Sequence, residues 1–212
     1  MARYNNGING PVSGKVGSVI ASSWRGINYL KSVQDGKKKQ SSPAQIHQQR
    51  IFALVSGWLR PLKALIAIGY QVVKEKKTPM NAAISFVMKH AVSGSGDDMV
   101  IDFANVVFSR GELLISVIKE IVSLVDAVLY IKWEDVLGSA YCKDDDQANF
   151  VVYNPDKEKF VMFENVAVRS AKEVNLQLPA NFLGDTLHCY MHYVNAQGNM
   201  LSTGQYLGQI VV

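Results

Sequence analysis

Four sets of residues in this sequence have types and spacings that could do chemistry. The first runs Gly10-Pro11-Val12-Ser13-Gly14-Lys15-Val16-Gly17-Ser18 and approaches a phosphate-binding loop. That loop needs four residues between its glycines and Ser or Thr directly after the Lys. Here three residues separate Gly10 from Gly14, and Val16 follows Lys15. No helix start follows either, so Gly14 and Gly17 read as tight-turn or chain-crossing positions. The second set is His188 and His192, four apart in an alternating stretch. In a strand that spacing spans ~13 Å, which one metal does not bridge. The third is Asp144-Asp145-Asp146, the densest acid cluster. The alternating acids, Gly and final Glu of a calcium loop are missing. It reads as a solvated turn, or as an acidic knob that docks a basic neighbour. The carboxylate pairs Asp97-Asp98 and Glu134-Asp135 form the fourth set, in linker or strand-end contexts where solvation is the default. No Ser/His/Asp or Cys/His group has recognisable local spacing. The expectation is a non-enzyme without a cofactor or metal.

Charge is more informative. Residues 1–90 carry 14 Lys and Arg against two acids, Asp35 and Glu75, a balance of +12. Residues 91–212 carry 8 against 16, a balance of −8. A strongly basic segment attracts phosphates, anionic lipid or an acidic protein surface. The acidic half of a second copy is one such surface, and basic-to-acidic contact favours head-to-tail assembly into rings or filaments. Basic residues between Lys15 and Lys77 interleave with Trp24, Tyr29, Trp58 and Tyr70. That mixture also suits single-stranded nucleic acid, bound by charge and stacking. The residues expected to meet a partner are Lys15, Trp24, Arg25, Lys37, Lys38 and Lys39 on the basic side. Asp144, Asp145 and Asp146 serve on the acidic side.

Several elements must position these groups. Residues 1–14 hold Gly7, Gly10 and Gly14 among asparagines, a turn-rich arm. Val16–Val33 reads as two short strands, with Gly17 and Gly26 as bulges or points of close approach. Ser42-Pro43 opens a helix, Pro61 ends it near Leu59, and a second helical run covers Leu62–Val73. Thr78-Pro79 opens a third helix that runs to about Val92. Ser93-Gly94-Ser95-Gly96-Asp97-Asp98 reads as a linker. Beyond it, β-rich runs recur at Met99–Ser109, Glu112–Lys119, Val125–Trp133, Ala148–Tyr153, Lys159–Val168, Glu173–Leu178, Thr186–Val194 and Met200–Val212. Leu113–Leu124 fits a buried helix as well as a strand. Asn195-Ala196-Gln197-Gly198-Asn199 reads as the turn of a closing hairpin. The expected fold is α+β. A basic arm, short strands and helices fill 1–93, 94–98 is a linker, and 99–212 forms an antiparallel sandwich like immunoglobulin or fibronectin type III domains.

The chain has 212 residues, 48% hydrophobic and 19% charged, values of an ordinary folded protein rather than a disordered one. Its two cysteines make no disulfide scaffold, and Cys189 reads as a buried thiol. The first residues lack the apolar core of a secretory leader, and no run of 18 consecutive apolar residues occurs. Cytoplasmic synthesis without membrane insertion is therefore expected, with release by lysis or a dedicated exporter.

The segments Gly14-Lys15-Val16-Gly17, Trp24-Arg25-Gly26-Ile27, Gln48-Gln49-Arg50-Ile51-Phe52 and Pro79-Met80-Asn81-Ala82 resemble a family of roughly 200-residue Bacteroidota proteins catalogued as a domain of unknown function. The resemblance extends more loosely across Trp133, Tyr153-Asn154 and Ser202–Tyr206. It implies a bacterial or phage origin and no activity. Together these readings favour a structural protein that associates with itself or with other assembly proteins in a virion, filament or surface assembly. In that reading the arm, residues 1–33, adds a strand to a neighbour's open sheet edge. Nucleic-acid binding by the basic half is the alternative.

Overall fold

Alternation of β-branched and polar residues, broken by glycines, folds the start of the chain into a small sheet. The computed structural model describes residues 2–3, 12–24, 26–33, 40–71, 77–94, 98–135 and 139–212. The chain divides into two compact units, Met1–Ser42 and Pro43–Val212. In the first, β1 (Ala2–Arg3), β2 (Gly14–Val16), β3 (Val19–Trp24) and β4 (Ile27–Ser32) form an antiparallel sheet ordered β1-β4-β3-β2. Gly17 (φ 59°) and Gly26 (φ 78°) supply the positive φ that tight hairpin turns demand. They sit at the turns joining Val16 to Val19 and Trp24 to Ile27, not at bulges. The described strands of the arm, residues 2–3 and 14–32, are thus paired within their own unit and do not form an extended strand free for donation. Among the described residues of this unit only Ala21 is buried.

The second unit begins with helices whose ends follow local chemistry. Pro43 starts α1 (Pro43–Leu59), and Pro61 ends it in a 3-10 turn, Arg60–Leu62, before α2 (Lys63–Gly69). The Thr78 hydroxyl accepts a hydrogen bond from the Asn81 amide at 3.2 Å, capping α3 (Pro79–His90). Taken together, Pro43–Gly69 is long and apolar enough to cross a membrane by length and composition (mean hydropathy 1.6). Its Val55, Leu59, Leu62, Leu65 and Ile66 lie instead in the core of this unit.

After α3 come a small hairpin, β5 (Val92–Ser93) with β6 (Val100–Ile101), and then seven longer strands. These are β7 (Val117–Leu124), β8 (Val128–Glu134), β9 (Gln147–Asn154), β10 (Lys159–Val168), β11 (Glu173–Gln177), β12 (Thr186–Val194) and β13 (Gln205–Val211). They make two antiparallel sheets, ordered β11-β8-β7 and β10-β9-β12-β13. One apolar core takes Leu129, Ile131 and Trp133 from the first sheet and Phe150, Val152, Leu187 and Met191 from the second. The alternate residues of the second sheet, Val151, Tyr153 and Tyr190, face a second core shared with the helices. Trp58 lies at its centre, its ring centroid 5.2–5.8 Å from those of Phe103, Phe108, Tyr153 and Phe160.

The division at Ser42/Pro43 differs from the expected linker at 94–98. The helical stripe of α1 to α3 packs on the sheet that follows, so helices and strands share one unit. The expected strand over Met99–Ser109 is also mostly absent. Asp102 takes hydrogen bonds from the Ala104 amide (3.1 Å) and the Asn105 side chain (2.6 Å), holding a 3-10 turn there. The fold is mixed α+β and rich in antiparallel sheet.

Candidate functional site

The three adjacent acids have two different fates. Asp144 and Asp145 are exposed in the turn before β9, whereas Asp146 is fully buried. Its partner is Arg169, just after β10 and 1% exposed, whose Nε and Nη2 lie 3.1 and 3.0 Å from Asp146 Oδ2. Arg169 also donates from Nη1 to Ser116 Oγ (3.2 Å) and from Nη2 to the Leu114 carbonyl (2.8 Å). Its guanidinium lies 3.7 Å from the centroid of the Tyr193 ring. Ser116 donates to Asp135 (2.5 Å), which leaves its oxygen to accept from Tyr193 (2.7 Å). The Trp133 indole donates to the Arg169 carbonyl at 2.9 Å. This network ties the Leu114–Ser116 segment, the acid loop and both sheets together. Asp146 therefore belongs to a structural pin, and the expected three-acid docking knob shrinks to Asp144 and Asp145. Among the described residues no cluster of three metal-ligating side chains occurs.

Lys15 on β2 and Trp24 at the end of β3 are both exposed. Arg25, Lys37, Lys38 and Lys39 lie outside the described residues. Two aromatics expected to interleave with the basic residues have other places. Trp58 sits in the aromatic core and Tyr70 is 1% exposed, so neither offers a face for stacking. His188 and His192 lie on β12 as expected, with His188 Nδ1 2.8 Å from the Tyr206 hydroxyl. Cys189 is buried and unpaired, its thiol pushed up to about 12 by burial.

The second unit holds a basic cleft of about 310 Å³ that the sequence did not single out. One face of α3 supplies Ser85, Phe86, Lys89 and His90, and Lys77 and Arg110 complete the basic lining. Arg110 arrives from far along the chain. Its amide donates to the Gly69 carbonyl at 2.8 Å, and a side chain at 69 would strike the Phe108 carbonyl, so only glycine lets the end of α2 and the Phe108–Ser109 backbone pass this closely. The Arg110 guanidinium then sits 5.1 Å from the Phe86 ring centroid, and Phe86 packs on His90 at 4.6 Å. Lys89 and His90 occupy the last turn of α3, where the helix dipole favours positive charge. Tyr70 on the cleft wall is pushed up to about 12 by burial, with Arg110 opposing. It stays a neutral phenol and donates to the Val107 carbonyl (2.9 Å). Among the described residues no carboxylate lines the cleft. Its chemistry is that of an anion site, where an arginine fork and lysines meet a phosphate or a carboxylate. Lys77 belonged to the basic run read from sequence. Lys89, His90 and Arg110 escaped because Arg110 stands 20 positions beyond His90 and reaches α3 only through the crossing at Gly69.

No curated protein matches the chain. One family model covers residues 11–208, which takes in the hairpins of the first unit and nearly all of the second. The chain belongs to a family of unknown function, DUF6266.

Proposed function

We propose that this chain is a non-enzymatic assembly protein that docks on a second copy of itself through its N-terminal sheet. The observation that carries this reading is the lack of a core in that sheet. Three or more strands need a hydrophobic face, or a packed helix, for independent stability. Here Ala21 alone is buried among the described residues, while Val16 and Trp24 are 62% and 47% exposed. Such apolar surface suits a face completed by another chain. Among the described residues no strand pairs with the outer edge of β2, which offers a row of backbone groups for strand pairing.

Charge supports a second copy as the occupant. Residues 1–42 hold seven Lys and Arg against one acid, whereas residues 43–212 hold 15 against 17. A basic first unit thus meets a slightly acidic second unit, with Asp144 and Asp145 exposed for contact. Strands one, two and five of the long set share one sheet, and four, three, six and seven the other. That order supports a fibronectin-III-like or immunoglobulin-like module, a frequent scaffold for interaction. The setting that suits it is a bacterial or phage virion, filament or surface assembly, made in the cytoplasm without membrane insertion.

The basic cleft favours one alternative, nucleic acid bound through phosphates near α3. Steep weakening of DNA or RNA binding with added salt is its signature.

Deleting residues 1–14 removes β1 and starts to open β2. Sedimentation velocity then shows a folded monomer where the full chain forms a larger species. Undiminished assembly by the truncated chain contradicts docking through this sheet.

A further inference from the structure

A second cavity, of about 300 Å³, lies within the Pro43–Val212 unit where the helix-facing side of the β10-β9-β12-β13 sheet turns from apolar to polar. Its floor is the cross-strand pair His192 on β12 and Asn149 on β9, both 4% exposed. Burial holds the His192 imidazole neutral, near 4. Neither ring nitrogen has a hydrogen-bond partner among the described residues. Asn149 Oδ1 is committed, accepting from the Asn165 amide at 2.5 Å, while its amide nitrogen is not. Among the described residues the buried side-chain atoms without a partner are Trp58 Nε1 and Asp146 Oδ1, so the uncommitted His192 and Asn149 atoms open onto the cavity itself. A cavity with an apolar wall and a few convergent polar groups is the usual form of a small-ligand site.

The rim is shaped by irregular backbone. The pairing of β10 with β9 shifts register between Phe163 and Ala167, and Asn165 takes a left-handed φ of 53°. That bulge brings Glu164 to the cavity as the one charged residue among its described lining. Leu65 and Ile68 of α2 form the apolar wall. Gln71, at the end of α2, donates to the Gly198 carbonyl of the β12–β13 turn at 3.4 Å and closes one side.

We propose that this cavity binds a neutral polyhydroxylated ligand, a monosaccharide or the end of a glycan. The proposal is independent of self-assembly. A neutral imidazole offers one donor and one acceptor, the Asn149 amide offers donors, and the Glu164 carboxylate offers acceptors. Sugar hydroxyls donate and accept at once and satisfy all three. The apolar C–H face of a pyranose fits Leu65 and Ile68. Among the described residues no Lys or Arg lines the cavity and Glu164 repels anions, so phosphates and carboxylates are disfavoured.

The test is a titration of the full chain with glucose, galactose and N-acetylglucosamine, and separately with inorganic phosphate, following the His192 ring resonances by NMR. At least one sugar is expected to give a saturable shift with a Kd on the order of 1 mM or tighter. Glu164→Ala, at an exposed position, keeps the fold and weakens that binding about tenfold or more. Absence of any saturable sugar shift overturns the proposal. So does a shift that Glu164→Ala leaves unchanged, or one that phosphate reproduces.

Discussion

Asp146 and Arg169 show what a single buried charge commits a fold to. Removing one member of a buried, hydrogen-bonded ion pair leaves the other uncompensated, at a cost of about 3–5 kcal/mol. Arg169 keeps Asp135 as a second carboxylate at 3.5 Å, so Asp146→Ala is expected to lose about 3 kcal/mol, the lower end of that range, in urea unfolding, while Asp144→Ala and Asp145→Ala change stability by less than about 0.5 kcal/mol. Three like acids in a row are indistinguishable in sequence. Only the arrival of Arg169 from 23 residues further on separates Asp146 from its neighbours. His192 carries a second residue-scale consequence. Its ordinary value of 6.5 falls to about 4 in the folded chain because burial disfavours the charged ring, and among the described residues Glu164 is the one other titratable group lining the cavity. A depressed histidine leaves stability intact above about pH 6.5. Between there and about 4 the unfolded chain takes up the proton first, so stability falls by ~3 kcal/mol across that window. His192→Gln flattens this part of the stability–pH curve, and an unchanged slope shows that other groups cause it.

At the scale of elements, the starts of helices were legible because their signals are local. Pro43, Pro61 and the Thr78 cap act within a turn of where they stand. Strands bounded by strong turns were legible for the same reason, as with β10 and β12. Leu113–Leu124 stayed ambiguous because its apolar residues fit either period, and pairing of β7 with β8 decided the matter. The basic cleft was not legible at all. It depends on Gly69 allowing the Phe108–Ser109 backbone to approach, which fixes Arg110 above α3. Gly69→Ala forces that backbone away and is expected to cost about 1–3 kcal/mol. It also displaces Arg110 and weakens inorganic phosphate binding measured by calorimetry. Destabilisation with unchanged phosphate affinity contradicts the role given to Arg110.

For the whole molecule, composition foretold the charge asymmetry but not where the chain divides. A helical stripe says that a helix buries one face without saying which sheet receives it, so Ser93–Asp98 looked like a boundary. The core joining α1 to α3 with Val151, Tyr153 and Tyr190 puts the division at Ser42/Pro43 instead. The first unit is then left with a sheet, a net positive charge and, among its described residues, almost nothing buried of its own, which is why a second copy is its proposed partner. The measurement that bears most directly on this is the mass of the purified full-length chain by light scattering, across concentration, at low and high salt. The account predicts a concentration-dependent assembly free of nucleic acid that shrinks as salt screens the contact between basic and acidic surfaces. A monomer near 23.4 kDa at every concentration and salt contradicts it.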